Sequence, residues 1–296
     1  MYTCSLERMT DKINSFIRFG DAGNGRITRY SLSKEAIMAR NEFIKRMKAV
    51  GAEIEIDDVA DIYATLPGSD KNAKRIVMGS YVDTVKNGGS YGGILGVMFA
   101  MEVLETVAAE NIPHKHPLTA MIWTNEEGSL YPPAMMALGI VCYDYLPEEI
   151  RRNFKYEDMM ASKSILNPKE TFGEILKKSG FKGQMKYRIS PERYKYMFET
   201  NLEQEDVLEK NKNNIYLDKK LVGYVKEAAE ECGISNKYMG LGAGHDTRLI
   251  SYMIPTVRIF IQSRKSHCEL EYSSPEYCTE GATVMLNAVL KADKED

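Results

Sequence analysis

Two adjacent carboxylates, Glu126 and Glu127, follow an apolar run at residues 117–125 (PLTAMIWTN). The run has the length and composition of a buried strand, so the pair stands where that strand ends. Adjacent like charges in a desolvated place raise the pKa of both groups, and proteins accept this cost where a proton acceptor or a metal ligand is needed. The pair therefore indicates acid–base or metal chemistry.

A third carboxylate, Asp83, lies in a glycine-rich loop within residues 75–97 (RIVMGSYVDTVKNGGSYGGILGV). The loop joins an apolar run to an apolar helix that begins near Ile94. A strand, an exposed loop and a helix in succession are typical of a site at the carboxyl edge of an α/β sheet. The glycines let the backbone of such a loop turn sharply and approach a ligand closely.

The remaining chain supplies the elements that must position these groups. Apolar periodicity predicts helices near residues 2–19, 33–50, 94–110, 148–160, 168–179, 217–232 and 275–291. It predicts strands near residues 52–56, 60–66, 76–79, 117–125, 194–202 and 257–261. Strands that alternate with helices predict an α/β fold.

Composition excludes several classes of function. The 296 residues are 44% hydrophobic and 27% charged, and the net charge is −3, with no footprint of nucleic-acid or membrane binding. Five scattered cysteines without a CxxC pair favour reduced thiols over a disulfide framework. With no signal segment and no membrane-spanning run, a cytoplasmic protein is expected.

Motifs in sequential order resemble the M20 metallopeptidase clan, and within it the amidase, hydantoinase and carbamoylase group, which includes N-carbamoyl-L-amino-acid hydrolases and allantoate amidohydrolases. Residues 79–97 match the pattern G-S-H-x-D-T-V-x-N-G-G-x-Y-D-G-x-L-G-V almost letter for letter. Further matches are N-E-E-G-S at 125–129, the E-x-x-x-E-Q frame at 199–204, G-A-G-H-D at 242–246 and S-H at 266–267. The resemblance implies one catalytic-type domain over residues 1–296, of the zinc-exopeptidase (aminopeptidase-like) fold, with a mixed central sheet flanked by helices.

The resemblance also assigns roles to individual residues. Glu126 matches the general base and Glu127 a metal ligand, while Asp83 matches a group that orients a ligand. The other implied catalytic residues are His245 and Asp246, the other implied metal ligand is His267, and the implied substrate-binding residues are Asn87, Gly88, Gly89 and Gln204. Arg29 and Arg40 match positions on a helix beside the site, and for Arg40 a solvated position and a role in holding the loop remain open.

Three metal-ligand positions depart from the family pattern. Tyr81 and Asn201 stand where the family has histidines, and Gly92 stands where it has the aspartate that bridges two metals. Glu127 and His267 are the remaining ligands of one site. The resemblance therefore implies either no metal or one weakly bound divalent ion, zinc or manganese.

A lid domain follows the fourth motif in the family, and here only a short polar run separates that motif from the next helix. We therefore expect the lid domain to be deleted near residues 209–215. Because the family dimer forms through the lid, the chain is expected to be a monomer or to pair through another surface.

Three functional interpretations follow, and whether the protein is an enzyme stays open. The favoured interpretation is a non-catalytic relative of the amidohydrolases. It binds a small molecule or a protein partner in the site that corresponds to the family's catalytic site. The second is a hydrolase with altered chemistry, using one metal or none and Glu126 as base. The third is a decayed paralogue that keeps only the fold.

Overall fold

The computed structural model describes residues 1–202, 217–238, 246–261 and 272–295. The strands in this part of the chain are β1 (Asp21–Gly23), β2 (Arg26–Ile27), β3 (Glu53–Ile56), β4 (Ile62–Leu66), β5 (Arg75–Tyr81), β6 (Leu118–Trp123), β7 (Tyr194–Leu202) and β8 (Thr256–Ile261). The helices are α1 (Leu6–Ile17), α2 (Lys34–Ala49), α3 (Ile94–Ala109), α4 (Met136–Val141), α5 (Glu148–Arg151), α6 (Tyr156–Met160), α7 (Phe172–Lys178), α8 (Lys219–Glu231), α9 (Asp246–Ile250) and α10 (Pro275–Asp293).

A six-stranded sheet organises these elements in the order β3-β4-β6-β5-β7-β8. The β3–β4 and β4–β6 pairs are antiparallel, whereas β6, β5, β7 and β8 pair in parallel. The sheet is therefore mixed and lies among helices, which confirms the fold class that the sequence predicts. β5 lies at its centre and delivers the glycine-rich loop at its carboxyl end.

Local signals in the sequence explain where the main helices begin. The side chains of Ser5, Ser33 and Ser274 each accept a backbone N–H from the first turn of α1, α2 and α10. α3 is apolar on nearly every side and is buried along almost its whole length. It packs against β5, β6 and β7, and α10 packs against both α3 and α8.

The chain between β6 and β7 is the part that periodicity predicts least well. The single helix expected near residues 148–160 is two short helices, α5 and α6, because Lys155 adopts an extended conformation between them. The helix expected from residue 168 begins at Phe172, where Thr171 and Glu174 form a capping box. The first error is a break in the backbone within the expected helix, and the second is a helix start that the capping box fixes.

Three other expectations concern the chain as a whole. No helix of the described ranges is both long and apolar enough to cross a membrane, and the cytoplasmic location stays a prediction. Cys4, Cys142, Cys232 and Cys278 are free thiols, as expected. The predicted lid deletion near residues 209–215 lies outside the described residues and stays a prediction.

Candidate functional site

The carboxyl ends of β5, β6 and β7 bring most of the described candidate residues to one edge of the sheet. These strands are parallel neighbours, and Tyr81 at the end of β5 pairs with Trp123 at the end of β6. Asp83 therefore follows β5 next to the place where Glu126 follows β6. The edge of the sheet that the sequence identifies is the edge where the candidate side chains meet.

Asp83 holds the two glutamates in place through their backbones. Its Oδ1 accepts the N–H of Glu126 at 3.3 Å, and its Oδ2 accepts the N–H of Glu127 at 3.1 Å. The Asp83 carboxyl is buried, and burial raises its pKa while these two N–H groups oppose the rise. Asp83 therefore acts as a positioning group for the turn after β6.

Two buried arginines support this turn and the end of β5 from behind. Arg29 donates from Nε to the carbonyl of Val82 at 2.6 Å and from Nη1 to the carbonyl of Phe16 at 3.0 Å. Arg40 donates from Nη1 to the carbonyl of Ala60 at 2.6 Å and from Nη2 to Thr124 Oγ1 at 2.8 Å. The open question about Arg40 is thus decided in favour of a role in holding the site loops.

Glu126 and Glu127 differ in their surroundings. Glu126 is buried, and its pKa lies well above the usual value, first because of burial and then because of the charges of Asp246 and Glu127. Glu127 is partly exposed. Glu126 therefore holds its proton to a higher pH than an exposed glutamate does.

Glu199 and Arg258 join the site, and sequence reasoning missed both. They lie side by side in register on β7 and β8, with Arg258 Nη2 4.0 Å from Glu199 Oε1, and their side chains are each 1% exposed. Glu199 Oε2 also accepts the backbone N–H of Thr247 at 3.0 Å, and the Thr247 hydroxyl contacts it too. Arg258 is the single charged residue of β8 (TVRIFI), but nothing in the sequence shows that it lies beside Glu199, because β7 (YKYMFETNL) mixes polar and apolar residues. We call Glu126, Glu199, Asp246 and Arg258 the edge cluster.

Within the described part of the chain, four polar atoms of the edge cluster are buried without a hydrogen-bond partner. They are Nε and Nη1 of Arg258 and both carboxyl oxygens of Asp246. Burial and the charge of Glu199 raise the pKa of Asp246 well above its usual value, and Arg258 opposes the rise. The Arg258 guanidinium also lies over the Phe260 ring, 5.2 Å from its centroid.

Tyr81 occupies part of the same space. Its ring lies so close to Gly93 that a Cβ on Gly93 would stand 2.5 Å from the ring carbons. Burial raises the pKa of the Tyr81 phenol well above its usual value, Glu126 and Glu127 raise it further, and Arg258 lowers it. A neutral phenol beside the carboxylates is the result.

The two other departures from the family pattern also lie near this edge. A Cβ on Gly92 would meet no atom within 4 Å, so space is open on that side of the loop. Asn201 is buried, and its Oδ1 accepts the N–H of Leu202 at 2.8 Å. The Asn201 amide oxygen is thus tied to the backbone of the next residue.

Asn87, Gly88 and Gly89 form an outer loop that is fixed to the β2 segment. Gly88 exchanges backbone hydrogen bonds with Ile27 at 2.8 and 2.9 Å, and the Asn87 N–H donates to Thr28 Oγ1 at 2.9 Å. Asn87 is exposed and Gly89 is partly exposed. Their substrate-binding role stays a prediction.

Three candidate residues, Gln204, His245 and His267, lie outside the described residues. Across residues 1–202, 217–238, 246–261 and 272–295, no group of three or more histidine, cysteine, aspartate or glutamate side chains is arranged to hold a metal ion. The residues that the structure brings together are Asp83, Glu126, Glu127, Asp246 and Tyr81, with Glu199 and Arg258 added.

Residues 65–291 match the sequence model of the family described as "Peptidase family M20/M25/M40". An N-carbamoyl-L-amino-acid amidohydrolase of Rhizobium meliloti is 27% identical over 71% of this chain and 48% of its own length. An allantoate amidohydrolase of Bacillus subtilis (strain 168) is 35% identical over 42% of this chain and 30% of its own length. The chain thus spans at most about half the length of these curated relatives.

Solved structures show the same fold. The crystal structure of an amidase of the hydantoinase/carbamoylase family from Burkholderia multivorans aligns with a TM-score of 0.87 at 20% identity, over 99% of each chain. Another member of that family, from Burkholderia vietnamiensis, aligns with a TM-score of 0.86 at 21% identity, over 99% of this chain and 98% of the other. At this level of identity the likeness concerns the fold alone.

Proposed function

This chain belongs to peptidase family M20/M25/M40, and we propose that it is a non-catalytic relative of the family's amidohydrolases that binds a small molecule at the edge cluster. The observation that carries this proposal is the set of four unpaired polar atoms on Arg258 and Asp246. A buried polar group without a partner costs about 1–3 kcal/mol. A bound molecule that satisfies these atoms recovers that cost.

The side chains of the described residues do not fit a two-metal centre. Gly92 has no ligand atom, the Asn201 amide is tied to Leu202, and Tyr81 is a neutral phenol. Zinc prefers imidazole, thiolate and carboxylate ligands, and a neutral amide or phenol is a poor substitute. Arg258 adds a positive charge to the same group of side chains, which further disfavours a cation.

Glu126 alone does not restore hydrolysis. Its raised pKa, which comes from burial among other carboxylates, suits a group that exchanges protons, but a base needs an activated water to act on. Water without a metal keeps its bulk acidity, so a hydrolytic attack lacks an activated nucleophile. We therefore expect no turnover of amide or carbamoyl compounds.

Burial favours a small molecule over a protein partner. Asp246 is 1% exposed and Arg258 is 5% exposed, so a ligand must enter between buried side chains, which a small molecule does with less rearrangement of the fold than a protein surface. The ligand should offer a hydrogen-bond acceptor to Arg258 and a donor to Asp246. Because relatives are named for N-carbamoyl-L-amino acids and allantoate, these compounds and the free L-amino acids are the first probes to test.

The experiment measures binding and turnover on one protein preparation. We expect at least one probe to bind saturably in calorimetry, and the affinity to fall at least about tenfold in Asp246→Asn, which is one lost hydrogen bond to a charged group. Arg46→Met is the matched control, because Arg46 pairs with Asp11 and Glu42 away from the edge cluster. Saturable turnover that disappears in Glu126→Gln would overturn the proposal.

The alternative function is hydrolysis with one metal ion or none, with Glu126 as base. One observation favours this alternative. The Asp83 carboxylate accepts the backbone N–H groups of Glu126 and Glu127 and so holds both residues in one turn. It predicts turnover that rises on addition of zinc or manganese, whereas the non-catalytic proposal predicts none in either condition. Sedimentation tests the separate proposal that the chain is a monomer or pairs through a surface other than a lid.

A further inference from the structure

We infer that Arg258 is the resident cation of the edge cluster and excludes a divalent ion from it. The inference rests on the proposed function, because it explains how the site dispenses with a metal. It adds a specific role for one residue that the motifs of the family do not contain. The argument uses the position of Arg258, the charges around it and the other cations nearby.

The edge cluster needs a positive charge. Glu126, Glu199 and Asp246 are all at least nine-tenths buried, and each lies close enough to affect the pKa of another. Buried carboxylates that lie together must be paired with cations or be protonated. The cluster therefore has an electrostatic requirement that some cation can meet.

The other buried arginines near the site do not meet this requirement. Arg29 acts on Asp83, and its Nε and Nη1 are committed to backbone carbonyls. Arg40 acts on Asp61, Asp83 and Asp57, and its Nη1 and Nη2 are committed to Ala60 and Thr124. Both arginines lie behind the loops, on the side of Asp83.

Arg258 is placed to supply the positive charge that the edge cluster needs. It stands in register beside Glu199, and its charge acts on Asp246 and on Tyr81, the residue at the first departure from the metal-ligand pattern. The Phe260 ring supports the guanidinium from one side. Among the described residues, Arg258 is thus the cation that Glu199 and Asp246 share.

A guanidinium and a divalent ion compete for such a cluster. Arg258 Nη2 lies 4.0 Å from Glu199 Oε1, so an ion held by Glu199 would lie close to the guanidinium, and the repulsion should lower the affinity for the ion by at least about tenfold. Removing the charge of Arg258 should therefore create affinity for a cation. Keeping the charge while changing the side chain should not.

The test uses zinc and manganese ions alone as probes on four forms of the full chain: wild type, Arg258→Met, Arg258→Gln and Arg258→Lys. Bound metal is counted after exchange into metal-free buffer, and affinity is measured by titration calorimetry. We expect wild type and Arg258→Lys to bind neither ion. We expect the neutral variants to bind zinc at least about tenfold more tightly than wild type.

Two results would overturn the inference. One is zinc binding to wild type as tight as to the neutral variants, and the other is no gain in either neutral variant that folds. If neither folds, Gly92→Asp in the wild-type background decides, because it adds a carboxylate in open space while Arg258 remains. It should gain no zinc, and a gain would overturn the inference. The proposed function is tested by separate measurements. It fails if the chain turns over a probe compound or if no probe compound binds.

Discussion

The buried side chains of Arg40 and Arg258 both face carboxylates, and they are held in different ways. We call Arg40, Asp57 and Asp61 the rear cluster, which lies behind the site loops. In the rear cluster, Arg40 makes hydrogen bonds of 2.6 and 2.8 Å, and Asp57 accepts the N–H groups of Val59 and Asp61 at 3.0 and 2.9 Å. In the edge cluster, Arg258 comes no closer than 4.0 Å to the Glu199 carboxylate in their ion pair.

This difference separates a structural role from a binding role. Five of the seven side-chain polar atoms of the rear cluster have partners in the protein, the exceptions being Arg40 Nε and Asp61 Oδ2, so the cluster holds β4 and the turn after β6 in place. Four polar atoms of the edge cluster have none among the described residues. Buried polar groups in proteins are nearly always paired, so an unpaired set indicates that a partner comes from outside the chain.

The largest effect is expected from Arg40→Met. The change leaves the Ala60 carbonyl and the Thr124 hydroxyl without the donor they share, and it removes a positive charge that lowers the pKa of the buried Asp61. Each lost hydrogen bond to a buried charged group costs about 1.5–3 kcal/mol, so chemical denaturation should show a loss of about 3–5 kcal/mol. Arg40→Lys should lose less, because it keeps the charge. A loss below about 1 kcal/mol would show that the rear cluster does not stabilise the fold.

The pH dependence of stability tests the rear cluster a second way. Burial raises the pKa of Asp57 from its ordinary value of 3.8 to about 7. The native protein therefore keeps a proton between about pH 4 and pH 7 that the unfolded chain has released, so the free energy of unfolding falls as the pH rises through this range. The contribution amounts to at most about 4 kcal/mol.

Asp57→Asn should remove this part of the pH dependence, because the amide oxygen still accepts the Val59 and Asp61 N–H groups but does not titrate. Denaturation midpoints between pH 4 and pH 7 measure it. Asp70→Asn, in an exposed turn, is the matched control and should leave the slope unchanged. An unchanged slope in Asp57→Asn would mean that Asp57 is ionised in the native protein.

Arg258→Gln should destabilise the protein less than Arg40→Met, by about 1–3 kcal/mol, because its ion pair is long and two of its N–H groups have no partner to lose. The loss should shrink in the double variant with Asp246→Asn, since neutralising both charges removes the interaction. Strict additivity of the two losses in denaturation experiments would show that Arg258 and Asp246 are not coupled.

An effect of similar size is expected at the loop beside Tyr81. Gly93→Ala should cost about 1–3 kcal/mol, because the added Cβ meets the Tyr81 ring, and Tyr81→Ala should relieve most of that cost. Gly92→Ala is the matched control and should change stability by less than about 1 kcal/mol, since its Cβ would enter open space. Equal losses at both glycines would mean that the Tyr81 ring does not lie against the loop.

The sequence predicts the frame of the site better than the state of its charges. Apolar runs and capping residues locate β5, β6, β7 and α3, and the motifs bring Asp83, Glu126 and Glu127 to one edge. Arg258 escapes this reasoning because strand periodicity gives no reason to single out one arginine on β8. Its importance comes from register with Glu199, which is a property of the folded sheet.

The three departures from the metal-ligand pattern also differ in their contacts in the folded protein. The sequence shows that Tyr81, Gly92 and Asn201 lack the expected ligand atoms, but not what replaces them. The ring of Tyr81 packs on Gly93, and Gly92 borders open space. The side-chain oxygen of Asn201 accepts the backbone N–H of Leu202. These are three different outcomes of substitution, and only three-dimensional contacts distinguish them.

The most direct measurement counts the metal ions that the wild-type chain retains. The protein would be purified with zinc and manganese present, exchanged into metal-free buffer and analysed by mass spectrometry. The account predicts close to zero ions per chain, because the edge cluster already contains Arg258 and lacks the bridging ligand at Gly92. About two ions per chain would contradict it, and would mean that other residues rebuild the metal centre.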